Sequence, residues 1–193
     1  MSDFLPPNYT VPQSGGNYYK LVQGENRLRI LAGFSDGAVM GLEYWNTENK
    51  PVRHRMGEQF TLENAKDGSS PKHFWAMPVY DYKEGKVKVF EITQKSLQKS
   101  LSELSKDEDW GNPTGYDIAI SRSGEGIETE YGLVPKPKKA LPKEALVAWE
   151  EAKSNNLNLG DLFDGGDPFQ ANVSSQESTV DTDEEINIDD IEI

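Results

Sequence analysis

HFWAMPVYDYKEGKVKVFEITQK, residues 73–95, is the stretch from which the rest of this chain is read. Residues 73–82 are rich in aromatic side chains, and residues 86–93 alternate β-branched with charged ones, which is strand composition. Lys83-Glu84-Gly85-Lys86 between them is a tight turn, with Gly85 free to take a positive φ. Ile92 and Thr93 then hand the chain to a helix over residues 94–104. Thr93 is placed to cap that helix, and Ile92 to staple onto Leu97. Leu97, Leu101 and Leu104 form its apolar stripe. The hairpin carries Phe74, Trp75, Tyr80 and Tyr82, with Lys72, Lys83, Lys86 and Lys88 around them. Aromatic faces beside basic side chains suit unpaired bases and their phosphates. For any single ring, a place in the core is the commoner fate.

Outward from this hairpin, residues 26–34 and 38–47 read as strands separated by the turn Ser35-Asp36-Gly37, with Gly41 at a kink or bulge. The second strand ends in Tyr44-Trp45 and is followed by Lys50, Arg53, His54 and Arg55, again aromatic beside basic. Residues 56–72 and 105–115 are loops, the latter acidic with Trp110. Residues 116–122 and 127–134 are strands joined by the turn Ser123-Gly124-Glu125-Gly126. A basic, proline-rich linker over residues 135–142 leads to a helix over residues 142–153, opened by Pro142. Ala145, Leu146, Trp149 and Ala152 give that helix an apolar side. Residues 1–19 read as a flexible arm, with docking of Phe4, Tyr9, Tyr18 or Tyr19 on the body as the alternative. From Ser154 the chain turns polar. Leu157, Leu159, Leu162 and Phe163 offer a short docked patch, and residues 164–193 read as disordered.

The organisation is therefore an arm (1–19), one domain (20–153) and an acidic tail (154–193). About five strands, one helix before the last strand pair and long loops fit a mainly β, OB-like five-stranded barrel, which binds on one face and through two loops. A sandwich is the competing architecture. No alternating βαβ pattern supports a parallel sheet.

At 193 residues the chain buries one good core. Its net charge of −13 is unevenly placed. All 20 Lys and Arg lie in residues 1–153 beside 22 Asp and Glu, whereas residues 154–193 hold 11 acids and no base. The body is nearly neutral and able to carry a basic face, and the tail is repelled into solvent and available to partners. There are no cysteines, so disulfides, thiolate metal sites and a cysteine nucleophile are excluded together. No apolar run approaches the ~20 residues of a membrane span, and residues 1–10 have no secretory pattern. There is no GxxxxGK[ST] loop, and His54 and His73 stand apart without a motif. The reading is a binding protein, with no enzyme activity, cofactor or metal.

Several stretches, in order, carry a resemblance. They are YKLVQGENRLRI (19–30), LEYW (42–45), NKPVR (49–53), KHFWA (72–76), EITQKS (91–96), DEDWG (107–111), YDI (116–118) and GEGIETEY (124–131). Over roughly residues 19–137 the chain resembles the single-stranded DNA-binding proteins of tailed bacteriophages that use an OB-type barrel. The resemblance implies a non-sequence-specific single-stranded DNA (ssDNA) binder acting in phage replication, recombination or repair, in the cytoplasm of the infected bacterial host. The zinc site of some phage proteins with this role has no cysteines to build it here. The ending DEEINIDDIEI (183–193) is similar to the acidic tips through which bacterial ssDNA-binding proteins recruit replication and repair proteins, though it ends in Glu-Ile instead of Pro-Phe.

The site residues are taken from the residue types themselves. Tyr44, Trp45, Trp75, Tyr80 and Tyr82 are candidates to stack on bases, two or three of them facing DNA. Arg27, Arg29, Lys50, Arg53, Arg55, Lys72, Lys86, Lys88 and Arg122 are candidates for phosphate. Ile186, Ile188, Asp189, Asp190, Ile191 and Ile193 are candidates for a partner protein, because a solubilising tail has no need of isoleucines. Two other readings compete. An acidic DNA mimic that blocks a nuclease needs its acids on a folded surface, whereas here they lie in the tail. An RNA-binding OB module differs only in a 2′-OH contact, which sequence does not display.

Overall fold

A computed structural model describes residues 16–169. The elements are β1 (Gly24–Ile30), β2 (Val39–Trp45), β3 (Pro51–Arg55), β4 (Lys72–Asp81), β5 (Lys86–Ile92), α1 (Lys95–Lys106), β6 (Asp117–Ser123), β7 (Glu130–Pro135) and α2 (Lys143–Ser154). The protein is mainly β. Seven antiparallel strands form one open sheet in the order β3-β2-β4-β1-β6-β7, with β5 on the other edge of β4. Seven strands stand where about five were expected, and no ladder among the described residues joins β5 to β7 to close a barrel. The strand missed by sequence is β3, PVRHR. Its Pro51 is tolerated at the first position of an edge strand, and its two arginines hide the apolar alternation that marks a strand.

β4 organises the sheet. At ten residues it is long enough to pair with β2 through Lys72–Ala76 and with β1 through Val79–Asp81, while β5 runs along its other edge. The turn after it forms as its residues dictate: Gly85 takes φ +66°, and its N–H reaches Asp81 O at 2.8 Å. The first strand stops at Ile30, short of the expected Phe34. Gly33 O there accepts the amides of Asp36 and Ala38, turning the chain. Thr93 does not cap α1; Gln94 occupies the cap position and makes no side-chain cap bond.

Two cores lie on opposite faces of the sheet. Leu28, Ile30, Met77, Val79, Phe90, Ile92, Ile118 and Ile120 pack on one face with Leu97 and Leu101 of α1 and with Tyr116. Trp110 from the acidic loop stands edge-on to Tyr116, 5.3 Å between centroids. Phe74, Ala76 and Val89 pack on the other face against Leu159 and Leu162, within the short 3-10 helix Leu159–Asp164. The docked patch expected after residue 154 is thus present, and α2 runs one residue beyond the expected Lys153. The tail read from Ser154 begins with this packed segment, because four apolar side chains in seven residues repay its ordering. Residues 170–193, and with them Ile186, Ile188, Asp189, Asp190, Ile191 and Ile193, lie outside the described residues, as do residues 1–15 of the arm. Residues 17–19 of that arm are paired: Val89 N–H donates to Asn17 O and Tyr19 N–H to Val89 O, both at 2.8 Å. Leu21 O then accepts from Arg122 at 2.9 Å, so this segment spans from β5 to β6. Among the described residues no helix is long and apolar enough to cross a membrane.

Candidate nucleic-acid interface

Residues opposite one another on paired strands share a face, and every second residue along a strand returns to it. The registers Arg29↔Tyr80, Arg29↔Asp117, Gly41↔Phe74, Gly41↔Arg55 and Glu43↔Lys72 therefore put Arg27, Arg29, Glu43, Trp45, Arg53, Arg55, Lys72, Phe74, Tyr80 and Asp117 on the face away from α1, the outer face. Two sets of exposed groups lie at its two ends.

At the β1/β6 end the set is built around Asp117, which is fully buried. Its carboxylate accepts from Arg27 Nη2 at 2.6 Å, Arg29 Nη1 at 3.0 Å and the Tyr82 hydroxyl at 2.7 Å, and lies 3.0 Å from Lys139 Nζ. Burial by itself would raise the Asp117 carboxyl. The hydrogen bonds from Tyr82, Arg27, Lys139 and Arg29 outweigh it and hold the group down at about 2. Burial, and then the bond to Asp117, pushes the Tyr82 hydroxyl far above the ordinary tyrosine range. Three cations share one carboxylate, so the set keeps a positive excess at its rim, where the Arg27 side chain is 45% exposed. Arg27 and Lys139 both lie over the Tyr82 ring, at 5.2 and 5.6 Å. A groove of about 500 Å³ runs past Arg27 and Tyr82 to Tyr18, Tyr19, Lys20 and Lys83, with Glu25, Asp81 and Glu84 also in its lining.

At the β2/β3 end Trp45 is 46% exposed. With Lys66, Ser69 and Lys72 it lines a recess of about 270 Å³. The loop is fixed there by Ser69, whose hydroxyl accepts the Trp45 amide at 2.9 Å, and by Lys66 N–H donating to Trp45 O at 2.8 Å. Lys50, on the β2–β3 turn nearby, is exposed and paired with Glu48 at 2.9 Å.

The remaining candidates are placed otherwise. Tyr44, 3% exposed, points inward, lies near-parallel to His54 of β3 and to Phe60 of the loop folded over it, and donates to Glu63 O. Tyr80 is 6% exposed. Neither ring face is open to a base in this conformation, which corrects the stacking roles read for both. Arg29 is buried, donating to Asp117 and to the carbonyls of Thr114 and Lys139. Arg53 is enclosed between Glu43 at 2.8 Å and Glu91 at 3.0 Å. Lys88 is enclosed between Asp81 at 2.9 Å and Glu84 at 2.7 Å. Burial opposes the charge on Lys88, and the bonds to Glu84 and Asp81 outweigh it. These three are internal counter-ions, so the phosphate roles read for them are corrected as well. Arg122 donates to Leu21 O on the inner side. Trp75 is half-buried on the inner side, edge-on to Phe34 at 5.2 Å, in the wall of a cleft beside α1. Arg55 and Lys86 are exposed, Arg55 on the outer face and Lys86 beside the turn after β4.

Of the fourteen stacking and phosphate candidates, the structure brings Arg27 and Tyr82 together at one end of the outer face, and Trp45, Lys72 and Lys50 at the other. Sequence reasoning missed Lys66, Lys139, Tyr18, Tyr19 and Lys20 as neighbours of these groups. The basic linker around Lys139 and the arm aromatics Tyr18 and Tyr19 were the visible signals. No protein-family model, curated protein or solved structure matches the chain.

Proposed function

We propose that this chain is a non-sequence-specific ssDNA-binding protein, acting in replication, recombination or repair of the phage kind that its sequence resembles, and recruiting partners through its acidic ending. The observation that carries this reading is a pair of rings with cations beside them at opposite ends of one sheet face, the exposed Trp45 beside Lys66 and Lys72, and the half-buried Tyr82 beside Arg27 and Lys139. A stacking ring with cations next to it takes a base and its phosphate without reading base edges. β4, ten residues or ~33 Å long, separates the two sets, room for several nucleotides. The architecture supports the same reading. Five strands in the antiparallel order β5-β4-β1-β6-β7, with α1 between β5 and β6, fit a partly open OB-type barrel in which β2–β3 is an added hairpin. In that barrel residues 17–22 would fill the gap between β5 and β7.

The test is an anisotropy titration of full-length protein against labelled oligo(dT), duplex DNA and RNA of equal length. Oligo(dT) is expected to bind well ahead of the duplex. Equal or tighter duplex binding, or none to any of the three, overturns the reading. Tighter RNA binding moves the assignment to an RNA-binding OB module.

A further inference from the structure

The outer face between the two exposed sets is covered by the chain itself. α2 packs on β5, and residues 157–169 then cross β2, β3 and β4. Leu159 and Leu162 sit on Phe74, Ala76 and Val89. Phe163 enters a socket. Its floor is Gly41, where an added Cβ would stand 2.8 Å from the Phe163 ring and 2.9 Å from Phe74. Phe74 is one wall, 5.8 Å between centroids. Arg55 is the lid, its guanidinium 4.6 Å above the Phe163 ring. The glycine is required by the backbone of β3, where an added Cβ would collide with His54 O, and by the ring that lies against the strand. Beside the socket an open recess of about 420 Å³ is bordered by Lys50, Arg53 and Tyr18.

A flat ring on a side-chain-free floor and under the Arg55 guanidinium is the surrounding a stacked nucleobase requires. The covering segment carries three acids of its own, Asp161, Asp164 and Asp167, in residues 157–169. It is closed on itself: Asn158 N–H donates to Pro168 O at 2.9 Å and Gly166 N–H to Asp161 O at 2.9 Å. Its hydrogen bonds close within the loop, so lifting it as a unit costs the apolar packing of Leu159, Leu162 and Phe163.

We infer that the Gly41 socket is a base-stacking subsite of the proposed ssDNA face, filled in the free protein by Phe163, and that single-stranded DNA enters it by displacing residues 157–169. This rests on the ssDNA-binding reading and adds how that face is gated. Displacement costs binding, because only the uncovered fraction of molecules offers the socket.

The experiment compares full-length wild type with Phe163→Ala for oligo(dT) affinity, and follows hydrogen exchange of the Asn158 and Gly166 amides in the wild type. Phe163→Ala should bind oligo(dT) roughly tenfold more tightly, since the cover is loosened while Arg55 and Gly41 stay. A merely structural role for Phe163 would weaken binding instead. Saturating oligo(dT) should remove the protection of both wild-type amides. Oligo(dT) binding with wild-type affinity in the variant, or retained protection in the saturated wild type, overturns this inference and leaves the ssDNA reading standing. Failure of both proteins to bind overturns both. If Phe163→Ala unfolds, the exchange measurement on the wild type decides.

Discussion

Asp117→Asn is the substitution that most directly tests how the β1/β6 end is held together. It keeps the shape of the side chain and removes the charge on which Arg27, Arg29, Lys139 and the Tyr82 hydroxyl converge. Holding the carboxyl at about 2, against its ordinary 3.8, corresponds to about 2.4 kcal/mol of stability near neutral pH. The variant loses that and leaves the guanidinium of Arg29, 3% exposed, without its counter-ion, so the total cost should reach about 3–5 kcal/mol. With a urea slope of ~2 kcal/mol/M, the unfolding midpoint followed by tryptophan fluorescence should fall by roughly 1.5–2.5 M. The pH dependence has a defined sign. A carboxyl lowered by folding stabilises fully above its unfolded value and stops stabilising as pH falls through its folded value. The gap between wild type and variant should therefore shrink from about pH 4 down to about pH 2. A gap below ~1 kcal/mol near neutral pH, or one that persists unchanged in acid, would refute the argument.

Neighbouring rings should part company. Trp45→Ala should keep the fold and lose roughly 1–3 kcal/mol of oligo(dT) binding, while Tyr44→Ala should cost ~3–5 kcal/mol of stability; the same loss of affinity from both, with both folded, would contradict their placement. Gly41→Ala should destabilise by ~3 kcal/mol or more in thermal melts, because its Cβ would collide with His54 O and crowd Phe74 and Phe163. A variant with wild-type stability would mean the close approach there is wrong. With about four of Arg27, Lys50, Lys66, Lys72 and Lys139 on phosphate, the log–log salt slope of oligo(dT) binding should lie near −3, and an affinity flat in salt would remove electrostatics from the mechanism.

Much of the scaffold was legible from local patterns. The hairpin of residues 73–93 needs only its alternation and Gly85, and α1 only its leucine stripe, because each is set by residues a few positions apart. The apolar patch at Leu157, Leu159, Leu162 and Phe163 was visible for the same reason. The tertiary structure decided the sign and place of the chemistry. Tyr44 and Trp45 are adjacent and equally aromatic, yet one lies under Phe60 and the other faces solvent, since consecutive strand residues point to opposite faces and only the distant loop determines which face is covered. Arg29 and Lys88 read as free cations until Asp117 and Asp81 meet them. Asp117 is 88 positions from Arg29 and pairs with it through the β1–β6 register, which local sequence does not encode. Gly41 read as a bend because a missing Cβ looks alike in a bulge and in a socket. The close approach of His54 O on β3, and of Phe163 from 122 positions further along the chain, shows what the missing Cβ makes room for. Sequence alone determined most of the short strands, turns and the helix, all but β3, because those are fixed by neighbours in the chain. Which rings and charges remain outside was settled by packing between segments far apart in sequence, because burial belongs to the pair of surfaces that meet and not to either segment alone.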